Sequence, residues 1–388
     1  MHVLVIPSWY KTRKNPVKGS FFEEQARGLQ IEGFQVGVLC PLFVSYSSQE
    51  KYSITKVVDN GLPTFTLTVK GIIPRNLEIN FWYIRRLGYQ AFKKYVEIYG
   101  KPDILHAHTV YYGGIVAEYI SKKTGIPYVI TEHYSPFVRG FITNNKKIRV
   151  AVKVFKNASQ AIAVSRPFRK DLTHILRLQE NLFDVIPNLV SPVFFEDKKP
   201  INLGDNDTIV FFSNSFLSDV KNHKLMLDAF HIFINYKPNA RLVIGGGGIL
   251  NNELVEYTKK SGLKDHVVFT GLLSRDEVKK QLEKCHIFLS TSTYETFGVV
   301  LIEAMAVGRP VITTDSRGPR DTVTDINGRI VKSWRAEDFA NEMLFMSQNY
   351  SSYDQQQISE ECRKRFSEPV VIQQLVKVYN RVLNFKFA

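Results

Sequence analysis

The chain has 388 residues, 44% hydrophobic and 23% charged, which excludes a disordered polymer and supplies apolar material for two cores rather than one. No apolar run approaches the ~20 residues needed to span a bilayer, and the opening MHVLVIPSWYK is too short in apolar residues for a signal peptide, so a cytoplasmic protein is expected. The formal net charge is +14, and residues 1–190 carry +13 of it. That asymmetry points the first half toward something anionic: a phospholipid surface, a lipid-phosphate acceptor or nucleic acid.

In chain order, strand-like apolar runs alternate with helical segments. The first half reads HVLVIPS, FQVGVLCP, DILHAHT, YVITEH, AIAVS and DVIPN as strands, with helices between them such as FFEEQARGLQIEG, which ends at Gly33. After a polar stretch containing Pro192, Pro200 and Gly204, the alternation resumes with IVFFS, RLVIGGG, HVVFTG, CHIFLST, PVITT and GRIV. Alternation of this kind predicts parallel sheets covered by helices on both faces. The expected architecture is α/β: two doubly wound, Rossmann-like parallel-sheet domains facing a deep cleft. The first spans residues 1–188, a linker 189–207 and the second 208–369, with the last helix, about 370–388, packing back on the first. Open parallel sheets bind ligands beyond the carboxyl ends of their strands.

Two further segments of the first half, RNLEINFWYIRRLGYQAFKKYVEIYG and FITNNKKIRVAVKVFKNAS, interleave aromatic or aliphatic residues with Lys and Arg. Such patterning suits a helix resting on an anionic membrane, and equally a helix with one face on the core and one in water. Cys40, Cys285 and Cys362 are scattered, odd in number and without metal-ligand spacing, as expected of reduced core thiols. His106 and His108 share one strand face but lack further ligands for a metal. Gly245 to Gly248 follow a strand yet fail the G-x-G-x-x-G spacing, and are read as a tight turn near a nucleotide. Asp205 and Asp207, in DND, are read as a linker turn rather than metal ligands.

The chemistry concentrates in TYETFGVVLIEAMAVGRPVITTD, residues 293 to 315, which carries Glu295 and Glu303. If a helix begins near Phe297, the free N–H groups of Phe297, Gly298 and Val299 and the positive dipole end can bind a diphosphate. Glu303 is then placed to accept two hydrogen bonds from a vicinal diol. Lys221, in SDVKNH, offers a compact cation after a strand. Gly19, in NPVKGSFF, permits close approach of backbone to ligand before a helix. His133 ends the strand YVITEH, at a sheet edge where ligands bind.

These segments together resemble family 4 of the retaining glycosyltransferases, of GT-B fold and bacterial surface-polysaccharide type. The most specific is Glu295-x7-Glu303 followed by AMAVGRPVITT, with VVFTGLLSRDEV, DVIPN, KNHKLMLDAF and IPSWYKTRKNPVKGSFFEEQA in their expected order. The resemblance implies that Glu303 holds the nucleotide ribose, while Glu295 contacts the transferred sugar and supports charge at its anomeric carbon. It implies that Lys221 meets the diphosphate, that backbone around Gly271, Leu272 and Ser274 reads the base, and that the Gly19 loop contacts sugar, phosphate or acceptor. It places His133 near the transferred sugar; His108, with His106, is read as structural or cleft-lining, and Arg275 as a cleft or acceptor residue.

One departure stands out. Where the family often has an Arg, this chain reads Asn214, Ser215, Phe216, so a second diphosphate cation must come from elsewhere, with Arg275 and Arg317 as candidates. The expected reaction is metal-independent sugar transfer, with no cofactor, from a nucleotide-sugar, UDP before GDP, to a saccharide or lipid-linked saccharide. A nucleic-acid partner is not expected, because no such motif is present and the carboxylate pair would be idle. A sugar-nucleotide 2-epimerase of related fold and a non-catalytic sugar-nucleotide binding protein are the alternatives.

Overall fold

The structure is a computed structural model, and it describes residues 1–11, 18–44, 52–59, 61–70, 77–196, 200–204 and 207–384. The chain divides into two compact units, one of Met1–Leu189 with Glu368–Ala388 and the other of Val190–Ser367.

The first unit runs β1 (His2–Pro7), α1 (Ser20–Ile31), β2 (Gln35–Val44), β3 (Ser53–Asp59), β4 (Leu62–Lys70), α2 (Leu77–Tyr99), β5 (Ile104–His108), α3 (Ile115–Thr124), β6 (Tyr128–Glu132), α4 (Asn145–Asn157), β7 (Gln160–Ala163), α5 (Arg166–Leu176) and β8 (Phe183–Val185). Its sheet order is β3-β4-β2-β1-β5-β6-β7-β8. Every residue of β1, β5 and β6 is buried, as expected of central strands covered on both faces. The strand order reverses between β1 and β5, whose neighbours are all parallel.

The hairpin of β3 and β4 was not anticipated, and it corrects the expectation of a purely parallel sheet. β3 pairs antiparallel with β4 at the sheet edge, closing between Asp59 and Leu62. The dipeptide Asn60-Gly61 at that closure is a strong hairpin signal, legible in the sequence.

The second unit contains β9 (Val210–Asn214), α6 (His223–Ile234), β10 (Arg241–Gly245), α7 (Asn251–Lys260), β11 (Val267–Gly271), α8 (Arg275–Lys284), β12 (Ile287–Ser290), α9 (Val299–Ala306), β13 (Val311–Thr314), β14 (Gly328–Val331), α10 (Ala336–Gln348) and α11 (Gln355–Phe366). All neighbouring strands are parallel, in the order β11-β10-β9-β12-β13-β14. Counted from β9, this is the 3-2-1-4-5-6 order of a doubly wound sheet, and it reverses between β9 and β12. A crevice opens at such a reversal because the connections from the two central strands leave toward opposite faces.

The last helix, α12 (Glu368–Asn384), belongs to the first unit. Its Val371, Ile372, Leu375 and Tyr379 are buried in one cluster with Phe22, Leu29 and Val36. The Tyr379 hydroxyl meets His106 Nδ1 at 2.6 Å, while His106 Nε2 meets Thr131 Oγ1 at 2.8 Å. Both ring nitrogens of a fully buried imidazole are thus satisfied without a charge.

Replacing Leu375, which is fully buried, with Ala should destabilise the protein by about 2–5 kcal/mol. Urea unfolding measures this, and a loss under about 1 kcal/mol would remove α12 from the core. The buried imidazoles set a pH dependence. Burial pushes His106 down to about 3, and burial, with the neighbouring imidazoles, holds His108 well below the ordinary histidine range. The unfolded chain therefore takes up protons that the folded one refuses, so stability is present above about pH 6.5 and is lost as pH falls below it. Each such histidine contributes up to about 1.4 kcal/mol per pH unit. Glu132, raised to about 7 by burial, acts with the opposite sign between about pH 4.5 and 7 and offsets one of them. Unfolding free energy should fall from pH 6.5 to 4.5, and His106→Gln should flatten that slope. A profile unchanged by the substitution would mean that His106 is charged in the folded state.

Candidate active site

At the strand-order reversal of the second unit, three loops are knitted together by backbone and side-chain bonds. The loop after β9 ends in a turn of 3-10 helix, Asp219–Lys221, followed by Asn222 at φ 46°. Thr291, just beyond β12, donates its hydroxyl to the carbonyls of Lys221 and Asn222 at 3.0 and 2.9 Å, and Thr293 N–H donates to Val220 O at 2.7 Å. These bonds place Lys221 beside Glu295. Lys221 Nζ donates to Glu295 Oε1 at 2.6 Å, and Ser292 Oγ donates to the same oxygen at 2.7 Å. The third loop follows β13: Glu295 N–H donates to Ser316 O at 2.8 Å and Gly318 N–H to Glu295 O at 3.0 Å, forming a short parallel bridge with Arg317. Glu295 is therefore held by all three loops.

The helix carrying Glu303 begins at Val299, two residues later than expected, because Gly298 turns the chain at φ 95°. That left-handed conformation favours glycine. Phe297 contributes only its backbone, since its ring is 1% exposed and packs edge-on against Phe366. Glu303, 2% exposed, accepts a hydrogen bond from Arg275 Nη1, whose guanidinium also lies 4.9 Å over the Phe194 ring. Arg275 thus stands at the carboxylate that the sequence reading gave to a nucleotide ribose. Arg317 is exposed at its residue level and held at φ 78° beside Glu295.

Ser274 stands at the start of α8. It caps α8 in a capping box: Ser274 Oγ accepts from Glu277 N–H at 3.3 Å, and Ser274 N–H donates to Glu277 Oε2 at 2.7 Å. Its N–H and hydroxyl are committed to the helix start, as S-x-x-E before an apolar residue predicts. Gly271, at φ 73°, ends β11, and Leu272 beyond it is 57% exposed. The glycine run Gly245 to Gly248 lies at the end of β10 and in the loop that follows it. A Cβ on Gly246 would sit 1.8 Å from Ser215 O, so only glycine lets the loop after β10 lie against the loop after β9. Ser215, in the place of the absent Arg, meets His223 Nε2 at 3.1 Å. Asp207 accepts from Gly204 N–H in a turn, while Asp205 lies outside the described residues.

In the first unit, Gly19 caps α1 from φ 76°, and its Cβ would stand 3.2 Å from Trp9 O. His133, half-buried beyond β6, receives Phe21 and Phe22 against its ring, with centroids 5.1 and 5.4 Å away. Its Nε2 meets His108 Nδ1 at 3.1 Å, and burial pushes its pKa down to about 3. His108 is 1% exposed, so it supports His133 from below instead of lining a surface.

The residue that sequence reasoning missed is Glu132. It is fully buried, and it accepts N–H bonds from His133 at 2.9 Å, Tyr134 at 2.8 Å and Val110 at 2.9 Å. One carboxylate thereby fixes the loops after β5 and β6. An acidic residue ending an otherwise apolar strand, directly before His133, was the available signal. Among the described residues no group of three or more His, Cys, Asp or Glu could hold a metal, and no helix is long and apolar enough to cross a membrane.

Comparison with known proteins adds the family. The model for glycosyltransferase family 4 matches residues 19–194, and that for glycosyl transferases group 1 matches residues 193–365. The chain is 26% identical to the alpha-monoglucosyldiacylglycerol synthase of Streptococcus pneumoniae over 59% of this chain, and the match spans 56% of that synthase's length. Among solved structures, sucrose-phosphate synthase from Thermosynechococcus elongatus superposes with TM-score 0.78 at 18% identity, covering 99% of this chain and 100% of that one. Anabaena HepE in complex with UDP-glucose superposes with TM-score 0.74 at 18% identity, covering 98% of this chain and 100% of that one. With two parallel-sheet α/β units, the paired carboxylates on and before α9, and models matching nearly end to end, the chain belongs to family 4 of the glycosyltransferases and has the GT-B fold.

Proposed function

We propose that this protein transfers a sugar, with retained anomeric configuration and without a metal, from a nucleoside-diphosphate donor to a saccharide or lipid-linked saccharide acceptor in glycoconjugate synthesis. The observation that carries the reading is the pair of carboxylate–cation contacts, Lys221–Glu295 and Arg275–Glu303, flanking the start of α9 where the strand order reverses. A diphosphate arriving there meets the first N–H groups of α9 and the Lys221 ammonium. UDP is the favoured nucleotide, in keeping with the UDP-glucose held by the Anabaena protein.

In the reaction the bond from the anomeric carbon to the diphosphate oxygen breaks, and negative charge grows on that oxygen. Lys221 and the α9 N–H groups stabilise it, with Arg275 close by as the second cation that Ser215 cannot supply. The acceptor oxygen bonds to the anomeric carbon from the same face, and the departing phosphate takes the acceptor's proton. Ser292 and the backbone bridge to Arg317 keep Glu295 oriented toward the sugar when Lys221 exchanges the carboxylate for phosphate. Glu303 holds the ribose diol. The first unit takes the acceptor, and its basic surface suits an anionic membrane; the glucolipid named in the pneumococcal relative is in keeping with a lipid-linked acceptor.

A panel of nucleotide sugars scored for slow hydrolysis tests the reading, since transferases leak to water when acceptor is absent. Release of UDP from at least one donor is expected; an altered sugar still joined to its nucleotide would identify an epimerase. Glu303→Gln should weaken UDP binding by about 1–3 kcal/mol, because an amide accepts poorly from two hydroxyls at once. Calorimetry decides, and unchanged affinity would take Glu303 out of the ribose site. Glu295→Ala should reduce turnover far more than UDP affinity, as its partner is the sugar; equal losses would reverse the two assignments. Chelator should leave the hydrolysis rate unaltered, and a strict Mg²⁺ requirement would end the metal-independent mechanism.

A further inference from the structure

The first unit has its own strand-order reversal, between β1 and β5, and a cavity of about 470 Å³ opens beside it. Its walls come from just beyond β1, β5 and β6: Trp9, the Tyr111–Tyr112 pair and Tyr134, all at carboxyl ends of strands. This is where an open parallel sheet takes a ligand. The aromatic wall is rigid. Tyr111 stacks between Phe81 and Phe137 at centroid distances of 6.1 and 5.5 Å, and Tyr112 stacks on Phe43 at 4.9 Å. Thr109, a β-branched residue at φ 63°, turns the chain so that both tyrosines reach the cavity, and Glu132 pins the following Val110 N–H.

The charges lining the cavity have one sign. Among the described residues Arg139 and Lys147 stand at it, no carboxylate does, and neither cation is paired with an acid. The Tyr111 hydroxyl is buried without a hydrogen-bond partner among the described residues. At the cavity, Phe141 is 67% exposed with the Arg139 guanidinium 4.6 Å from its ring centroid. On α2, next to the lining residue Phe81, Trp82 is 56% exposed with Arg86 5.6 Å from its ring centroid. Aromatic residues each carrying a cation suit a boundary between hydrocarbon and anionic groups.

We propose that this cavity binds the lipid-phosphate portion of an amphiphilic acceptor, a hydrocarbon chain joined through phosphate to the saccharide that receives the sugar. The phosphate lies between Arg139 and Lys147, and the first part of the chain lies along Tyr112, Trp9 and Phe141. The proposal rests on the glycosyl-transfer reading and names the chemistry of its acceptor. Charge complementarity favours this occupant over a neutral glycan, which would leave both cations without a counter-charge. Aromatic walls favour it over a soluble sugar phosphate.

The test is calorimetry on the full chain with farnesyl phosphate below its aggregation concentration, beside farnesol, glucose 1-phosphate and inorganic phosphate. Farnesyl phosphate should bind at least tenfold more tightly than each of the others. Arg139→Gln with Lys147→Gln should weaken it at least tenfold, while farnesol binding, UDP affinity and thermal midpoint stay unchanged. A second variant, Ile142→Trp, should obstruct the cavity from its apolar wall and weaken both farnesyl phosphate and farnesol. Farnesol binding as tightly as its phosphate, or farnesyl phosphate indifferent to the double substitution, would overturn the proposal. Glucose 1-phosphate binding as tightly would make the acceptor a soluble one and overturn it too. UDP measured on the same samples separates the two ideas: a protein that binds UDP but not farnesyl phosphate refutes only the cavity, and one that binds no nucleotide refutes the transfer reading itself.

Discussion

Lys221 and Glu295 come from loops that follow different strands, β9 and β12, and their contact spans the point where the strand order of the second unit reverses. The geometry of the candidate site depends on that contact and the bonds beneath it. Thr291 and Thr293 draw the two loops together, Ser292 shares the carboxylate oxygen with the lysine, and the strand-like bridge to Arg317 brings in the loop after β13. A carboxylate fixed from several directions loses little further freedom when a ligand arrives, which is the condition for precise positioning. The same knitting directs the chain into Gly298, and so sets where α9 begins and where its unbonded N–H groups stand.

The first unit solves an analogous problem with less charge. Its strand ends gather three imidazoles in sequence from Tyr379 to His133, and burial keeps them neutral, so they serve as hydrogen-bonding and packing groups. Glu132 performs the structural work there. Three backbone N–H groups converge on it, satisfying donors that the turns after β5 and β6 would otherwise bury unpaired. Through these bonds it orients His133 on one side and the tyrosine pair of the cavity on the other. α12, distant in sequence, closes the arrangement by supplying Tyr379 to His106.

Much of this was legible in advance because parallel strands buried on both faces read as largely apolar runs, as β1 and β12 do, and as β5, β6, β9 and β13 do over part of their length. The spacing of Glu295 and Glu303 within a small-residue apolar segment was equally visible. β3 and β4 escaped because β3 is an edge strand with its middle residues exposed, so it does not read as a buried apolar run. Ser274 was read for its place in a motif, whereas its S-x-x-E spacing already described a helix cap. Arg309, inside the GRP of the same signature, is fully buried and donates to the carbonyls of Leu282 and Glu283 at the end of α8; that is a structural role a motif cannot distinguish from a chemical one.

The sequence by itself determined the two α/β units, the order of their strands along the chain and the residue types available for chemistry, because periodicity and composition act locally. Only the tertiary structure decided which of those residues meet. Lys221 and Glu295 are 74 positions apart, Arg275 and Glu303 are 28 apart, and His106 and Tyr379 are 273 apart. Their pairing follows from the crossover connections and the spatial order of strands, which bring distant loops to one end of a sheet. Burial, likewise, is a property of the assembled fold: it gave Glu132 and His133 their altered proton affinities, and no run of neighbouring residues encodes that.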